Sequence, residues 1–168
     1  MYDGIKAVAR LLSIYPYITY TIIGDGKQYH MLQKYIQRLG LQKNIRLVGW
    51  QPHEKVIQAL YDADIYLHPS LSCEGIPNAI MEAMATGLPV VATDVNGTPE
   101  LVRHRKTGYV VPAGSIKSLV HALKTLIKDP SLRLLYGSNG RIRVTKQHNI
   151  ARENKKLMKM FKALLRVN

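Results

Sequence analysis

Cysteine is almost absent from this chain, since Cys73 is the only one in 168 residues. A single thiol excludes an internal disulfide framework and a zinc site built from several cysteines. Long apolar runs are also missing, because no stretch approaches the roughly 18 residues that a membrane-spanning helix needs. The first residues, MYDGIKAVAR, lack the basic start and apolar core of a secretory signal. We therefore expect a cytoplasmic protein.

Acidic residues are also scarce. The chain has 24 Lys and Arg against 11 Asp and Glu, which leaves a formal net charge of +13. Its 46% hydrophobic and 21% charged residues are typical of a globular protein, and its length is that of one domain. A strongly basic chain favours an anionic partner, and charge alone leaves four open: a nucleotide diphosphate, nucleic acid, an anionic membrane surface or an acidic neighbouring domain.

The hydrophobic pattern alternates between strands and helices. Short apolar runs predict strands at 18–23, 44–48, 65–67, 89–93 and 109–111. Helical spacing predicts helices at about 2–14, 27–39, 53–62, 77–86 and 99–102, then three helical pieces from 115 onward, broken near 129–130 and 148–149. This alternation indicates an α/β domain over residues 1–168, with a parallel sheet covered by helices on both faces. Ligands of such sheets bind at the carboxyl ends of the strands.

The stretch SCEGIPNAIMEAM places two of the scarce acids, Glu74 and Glu82, around a Gly-Ile-Pro turn. Pro77 suits the first turn of a helix, and the N–H groups that follow it then form a phosphate site that Gly75 lets a ligand approach. At about 1.5 Å per residue, Glu82 lies roughly 7–8 Å along the helix, which is about the distance from a diphosphate to the ribose hydroxyls of one nucleotide. Ordinary helix capping is the alternative for either acid taken singly. Residues predicted to face the sheet are Ile76, Ile80, Ala83, Met84 and Gly87, while Asn78 shares the face of Glu82.

The motif E-G-I-P-N-A-I-M-E, Glu74 to Glu82, resembles the E-x7-E motif of the retaining, nucleotide-sugar-dependent glycosyltransferases with the GT-B fold (glycosyl transferases group 1). Further blocks resemble those of the family in the same order: IIGDG at 22–26, LVG at 47–49, DIYLHPS at 64–70, EAMATGLPVVAT at 82–93 and PELV at 99–102. The resemblance covers nearly the whole chain.

This resemblance implies the C-terminal, donor-binding half of such an enzyme, with a Rossmann-like sheet. The donor is a nucleotide-diphosphate sugar, which is a substrate, and no cofactor or metal is expected. The implied reaction transfers the sugar with retention to a polysaccharide, lipopolysaccharide or lipid-linked acceptor. The implied roles are catalytic for Glu74, which orients the sugar and stabilises charge, and donor-binding for Gly75, Ile76, Pro77, Asn78, Glu82, Gly24, Trp50 and Gln51. An aromatic cover over a strand end is the alternative for Trp50.

Two parts of the family pattern have no counterpart here. Family members carry an N-terminal domain that binds the acceptor, and they begin the second domain with a strand and a basic loop. That strand is ordinarily central in the sheet. We therefore expect a fragment that is inactive alone, with its N-terminal domain as a separate chain or lost by truncation. We also expect a gap or a rearranged pairing, with unpaired backbone, between the strands at 18–23 and 65–67.

The segment 141–168 contains nine Lys or Arg against one acid, Glu153, and it predicts a basic amphipathic helix at about 150–166. Such a helix packs one face on its domain or, as an alternative, makes a peripheral contact with the inner face of a membrane. We do not expect a nucleic-acid partner, because aromatic and basic residues do not alternate on the strands as stacking modules require.

Two other functions compete with the transferase. One is a non-catalytic basic α/β module that binds a nucleotide or a membrane surface. The other is a sugar-nucleotide epimerase-like domain, which the E-x7-E turn disfavours. The Asp62-Ala63-Asp64 triplet resembles a metal-binding D-x-D signature, but it ends a predicted helix instead of following a strand. No metal is therefore expected there.

Overall fold

The computed structural model describes residues 1–72, 75–95, 97–147 and 158–161. Strands and helices alternate along the described chain: α1 (Tyr2–Leu12), β1 (Tyr20–Ile22), α2 (Tyr29–Arg38), β2 (Ile45–Leu47), α3 (His53–Tyr61), β3 (Tyr66–His68), α4 (Asn78–Ala85), β4 (Val90–Asp94), α5 (Thr98–Leu101), β5 (Gly108–Pro112), α6 (Ile116–Lys128) and α7 (Pro130–Gln147). Each predicted element up to residue 147 is present. Most of the predicted basic tail helix lies outside the described residues. The part of it that is described, residues 158–161, is helical. No helix in the described part of the chain is long and apolar enough to cross a membrane.

The five strands form two parallel sheets. Strand β1 pairs with β2, and a second sheet has the order β3-β4-β5. Strands β1 and β3 do not pair, which confirms the predicted gap between them. Because every pairing is parallel, the carboxyl ends of the paired strands lie at the same edge within each sheet.

Two unpaired backbone edges border this gap. Tyr20 N–H donates to Asn44 O in the β1–β2 ladder, so the alternating pattern turns the N–H and C=O of Thr21 towards the opposite edge. In the same way Tyr66 N–H donates to Pro89 O, and the backbone groups of Leu67 face away from β4. Within the described residues, each of the two sheets therefore presents one unpaired residue to the gap.

Helix α1 holds the two sheets side by side. Its residues Ile5 and Val8 pack with β1 and β2, whereas Ala7 and Leu11 pack with β4 and β5. A Cβ on Gly4 would lie 3.0 Å from the Tyr20 hydroxyl and 3.4 Å from a Leu67 methyl carbon. The Tyr20 hydroxyl is buried and has no hydrogen-bond partner within the described chain, and its burial raises its pKa. Side chains and one helix thus fill the space under the gap.

Helix α4 is fixed at its carboxyl end and along its buried face. Ile80, Ala83 and Met84 are fully buried. The N–H of Gly87 donates to Met84 O and that of Leu88 donates to Ala83 O, with Gly87 at a φ of 87°. These two bonds form the helix stop that favours glycine, because only glycine adopts a positive φ without strain. The carboxyl end and the buried face therefore position α4 against the sheet.

Candidate functional site

The carboxyl ends of β1 and β2 meet at two glycines. Gly24 N–H donates to Gly49 O at 2.7 Å, and both residues have positive φ angles, of 132° and 71°. The loop after Gly49 is closed by Gln51, whose Nε2 donates to Val48 O. Trp50 lies between Gly49 and Gln51, and 68% of its surface is exposed. The structure therefore brings three predicted site residues, Gly24, Trp50 and Gln51, to one edge, where Trp50 is exposed to solvent.

The start of α4 has no side-chain cap. Pro77 occupies the N-cap position at a φ of −72°, and its carbonyl accepts from Ile80 and Met81 N–H. The helix therefore begins at Asn78, one residue later than the start predicted from the sequence. No protein acceptor within the described residues takes the N–H of Asn78 or Ala79. Together with the positive end of the helix dipole, these groups can hold an anion.

The turn before the helix also departs from the prediction. Ile76 was expected to pack on the sheet, but it is 42% exposed, because it precedes the helix and does not share the helical face. Its N–H has no acceptor within the described residues. Gly75 has a φ of 141°, a conformation that glycine adopts without strain. The turn therefore adds a third N–H donor to the two at the start of α4.

Glu82 lies one turn further along α4 with an accessible carboxylate. Its side chain is 34% exposed, and Oε1 is 3.9 Å from Nδ1 of His53, the first residue of α3. That distance is too long for a hydrogen bond. Within the described chain the carboxylate of Glu82 makes no hydrogen bond, so both of its oxygens can accept from a ligand. Because His53 follows Gln51 by two residues, Glu82 lies beside the loop that carries Trp50.

Two uncharged rings lie on β3, and Tyr66 is close enough to Glu82 for the carboxylate to act on its pKa. The rings of Tyr66 and His68 stack with their centroids 6.2 Å apart. Burial, with a further contribution from the Glu82 carboxylate, raises the pKa of Tyr66 to about 12. Burial, with a contribution from the positive amino terminus, lowers the pKa of His68. Both rings are therefore neutral at pH 7, and neither competes as a cation for the oxygens of Glu82.

The loop after β4 contacts the loop that precedes α4. The hydroxyl of Thr93 donates to Ser70 O, and the backbone of Gly97 lies directly against the carbonyl of Gly75. The sequence analysis assigned no role to Thr93, Gly97 or His53. A glycine soon after a strand was the one available signal for Gly97.

Glu74, the predicted catalytic residue, lies outside the described residues. The structure does place the other predicted residues at the carboxyl edge: one group at β1 and β2, and one at the start of α4. His53 and Glu82 connect the two groups. The arrangement is a row of N–H donors, a carboxylate one turn away and an exposed aromatic ring beside it.

The family model for glycosyl transferases group 1 matches residues 3–143 of this chain. The chain belongs to this family. It is 43% identical over 112 residues to the amylovoran biosynthesis glycosyltransferase AmsK of Erwinia amylovora, a match that covers 64% of this chain and 28% of AmsK.

Two solved structures show how much of a similar protein the chain covers. Alr3699/HepE of Anabaena in complex with UDP is 26% identical with a TM-score of 0.89, and the match covers 97% of this chain and 45% of HepE. The C-terminal domain of LpcC, a group 1 glycosyl transferase of Francisella tularensis, is 30% identical with a TM-score of 0.76, covering 88% of this chain and 78% of that one. The chain thus spans less than half of HepE and about a quarter of AmsK.

Two residues of the acidic triplet at 62–64 have structural partners. Asp62 Oδ1 accepts from Gln58 Nε2 at 3.0 Å, and Asp64 Oδ1 forms an ion pair with Arg133 at 3.4 Å. No group of three or more His, Cys, Asp or Glu in the described part of the chain has a metal-binding arrangement. Arg133 also donates to the carbonyls of Leu126 and Ile127, so Asp64 helps to anchor the junction of α6 and α7.

Proposed function

We propose that this chain is the donor-binding domain of a retaining glycosyltransferase that uses a nucleoside-diphosphate sugar. The observation that carries the proposal is the uncapped start of α4 with an accessible carboxylate, Glu82, one turn further along. Membership of the group 1 family and the likeness to HepE, which was solved with UDP, support this ligand class. AmsK, named for amylovoran biosynthesis, supports a polysaccharide as the product.

In this proposal the diphosphate binds at the start of α4. The N–H groups of Ile76, Asn78 and Ala79 donate to phosphate oxygens, and the helix dipole adds to their attraction. Pro77 has no N–H and provides no side-chain cap, so nothing at the N-cap competes with the ligand. The surplus of basic residues attracts an anionic nucleotide from solution.

The nucleoside then extends from the diphosphate towards α3. Glu82 accepts from the ribose hydroxyls, since a rise of about 1.5 Å per residue places it the right distance from the helix start. The base lies by the loop of Trp50 and Gln51, which leads into His53 beside Glu82. Gly24 borders the same space through its bond to Gly49.

The sugar extends in the opposite direction, towards Glu74. The bond from the anomeric carbon to the diphosphate oxygen breaks, and the leaving diphosphate takes the electron pair. The acceptor oxygen bonds to the anomeric carbon on the same face, and its proton passes to an oxygen of the departing diphosphate. Three N–H donors stabilise the charge on the leaving group, and Glu74 orients the sugar hydroxyls and stabilises the positive charge on the ring. Retention and the role of Glu74 rest on the E-x7-E resemblance.

The acceptor site is proposed to belong to a further domain. The chain spans less than half of AmsK and of HepE, and within the described residues the gap between β1 and β3 has unpaired backbone on both sides. An extended segment of that further domain, or of the polypeptide joined to it, would pair with Thr21 and Leu67. Turnover accordingly requires more polypeptide than these residues.

Calorimetric titration of UDP, GDP, ADP and their sugars tests the donor site. We expect one nucleotide diphosphate to bind saturably and Glu82→Gln to weaken it about ten- to hundredfold, the range expected for hydrogen bonds to a charged group. Glu100→Gln is the matched control, because the same change on α5 should leave affinity unaltered. Glu74→Ala should weaken binding of the nucleotide sugar more than binding of the free nucleotide.

Two results would contradict this proposal. The first is that no nucleotide diphosphate binds to a sample whose circular dichroism shows it to be folded. The second is that Glu82→Gln and Glu100→Gln have the same effect, because the position of Glu82 would then have no importance for the ligand.

A further inference from the structure

We propose that Thr93, near the carboxyl end of β4, and Gly97, in the loop that follows β4, are positioning residues for the diphosphate-binding turn. The inference rests on the proposed function, because it concerns how the same turn is held in place for its ligand. Neither residue is assigned a contact with the ligand. Both act through the segment that precedes α4.

Gly97 is required for its lack of a side chain. A Cβ on Gly97 would lie 2.7 Å from Gly75 O, 3.0 Å from Gly75 C and 3.0 Å from Ile76 Cα. Its own φ of −69° and ψ of −3° are angles that any residue adopts, so the backbone conformation does not require glycine. Glycine is therefore required at position 97 because the two backbones approach each other closely. The Cβ of alanine would push the turn away.

This approach sets the direction of one N–H donor. The peptide between Gly75 and Ile76 is planar and trans, as all peptide bonds of the described chain are, so its C=O and N–H point in opposite directions. With the carbonyl of Gly75 held against Gly97, the N–H of Ile76 points to the other side of the turn. That N–H has no acceptor within the described residues. Rotation of this peptide plane would redirect the donor that we assign to phosphate.

Thr93 holds the same segment from its other end. Its side chain is fully buried, and its hydroxyl lies within hydrogen-bond distance of Ser70 O and, at 3.3 Å, of His68 O. The hydroxyl has one proton, and the shorter contact identifies Ser70 O as its acceptor. The segment between β3 and α4 is therefore attached to β4 through Thr93 and to the following loop through Gly97.

The test compares a nucleoside diphosphate with its own nucleoside on Gly97→Ala. Of UDP, GDP and ADP, the one that the wild-type chain binds is used with the matching nucleoside, by calorimetry and ligand-observed NMR. We expect the diphosphate to bind about ten- to hundredfold more weakly, because charge-assisted bonds are misaligned, and the nucleoside to change by less than about twofold. Gly140→Ala is the matched control, since its Cβ would meet Met84 of the same helix α4 at an ordinary 3.6 Å.

Each outcome bears on the proposal. Unchanged affinity for the diphosphate in Gly97→Ala overturns it, and so does an equal loss for both ligands, which would indicate a general structural defect. If Gly97→Ala does not fold, Thr93→Val is measured with the same two ligands and the same expected outcomes. The amide signal of Ile76 in the wild-type chain should also shift on adding the diphosphate, and a stationary signal overturns the assignment. Failure of the wild-type chain to bind any nucleotide diphosphate would instead refute the proposed function.

Discussion

Substituting Gly137 by alanine is expected to destabilise the domain, although the same substitution usually stabilises a helix. Gly137 lies in α7, where a Cβ would be 1.8 Å from Gly87 O and 2.8 Å from Gly87 C. A carbon and a carbonyl oxygen approach to about 3.3 Å at closest, so the two backbones would have to separate by about 1.5 Å. Gly87 cannot move easily, because it ends α4 and is bonded to Met84.

The size of the effect follows from two opposing contributions. Overpacking of a rigid contact costs about 3 kcal/mol at the upper end of its usual range. Replacing glycine by alanine inside a helix returns about 1 kcal/mol. The free energy of unfolding should therefore fall by about 2 kcal/mol, which for a chain of this size lowers Tm by about 4–8 °C.

Gly140→Ala, three residues along the same helix, provides the contrast. Its Cβ would meet Met84 at 3.6 Å, an ordinary contact, so the helical preference of alanine should raise Tm by about 1–4 °C. Urea denaturation of both variants, with Tm from differential scanning calorimetry, measures the pair. The reasoning is refuted if both substitutions shift stability in the same direction, because the packing of α7 on Gly87 would then not be the cause.

Two further predictions concern the gap and the ring beneath the site. In hydrogen-exchange NMR the amides of Thr21 and Leu67 should exchange much faster than those of Tyr20 and Tyr66, which are bonded in the ladders; equal protection would show that the edges are paired. The pKa of His68 is lower in the folded chain than its ordinary 6.5, so the unfolded chain takes up the proton first as pH falls. The contribution of His68 to stability is present above about pH 6.5 and is lost below it. Urea titrations should therefore show a smaller pH dependence of stability for His68→Gln. An unaltered profile would exclude His68 as the source of that dependence.

Many features of the fold were predictable because they depend on nearby residues. Each strand and helix up to residue 147 followed from hydrophobic period and from Gly or Pro at the ends. Gly40 ends α2 with the same pair of bonds that Gly87 makes at α4, from the N–H of Gly40 to Gln37 O and of Leu41 to Ile36 O. These stops need only a local positive φ, so the type of residue indicates them.

The candidate site was only partly predictable. The free N–H groups of α4 and the position of Glu82 follow from helical geometry, and the sequence indicated both. The exposure of Ile76 did not follow, because it depends on where the helix begins, and Pro77 proved to be the N-cap residue. Glu74 lies outside the described residues, so its catalytic role stays a prediction.

The sequence by itself determined the order of the elements and the uncapped start of α4, because each depends on residues within a few positions of one another. Parallel pairing followed from the alternation of strands and helices. The sequence also indicated the family through its motifs. The unpaired edges of β1 and β3 were expected from that resemblance, but only the folded chain shows that α1 packs across both sheets beneath them. The contacts of Gly97 with Gly75 and of His53 with Glu82 likewise join loops and helices that are distant in sequence. No local pattern records such contacts, since they arise only when the chain is packed.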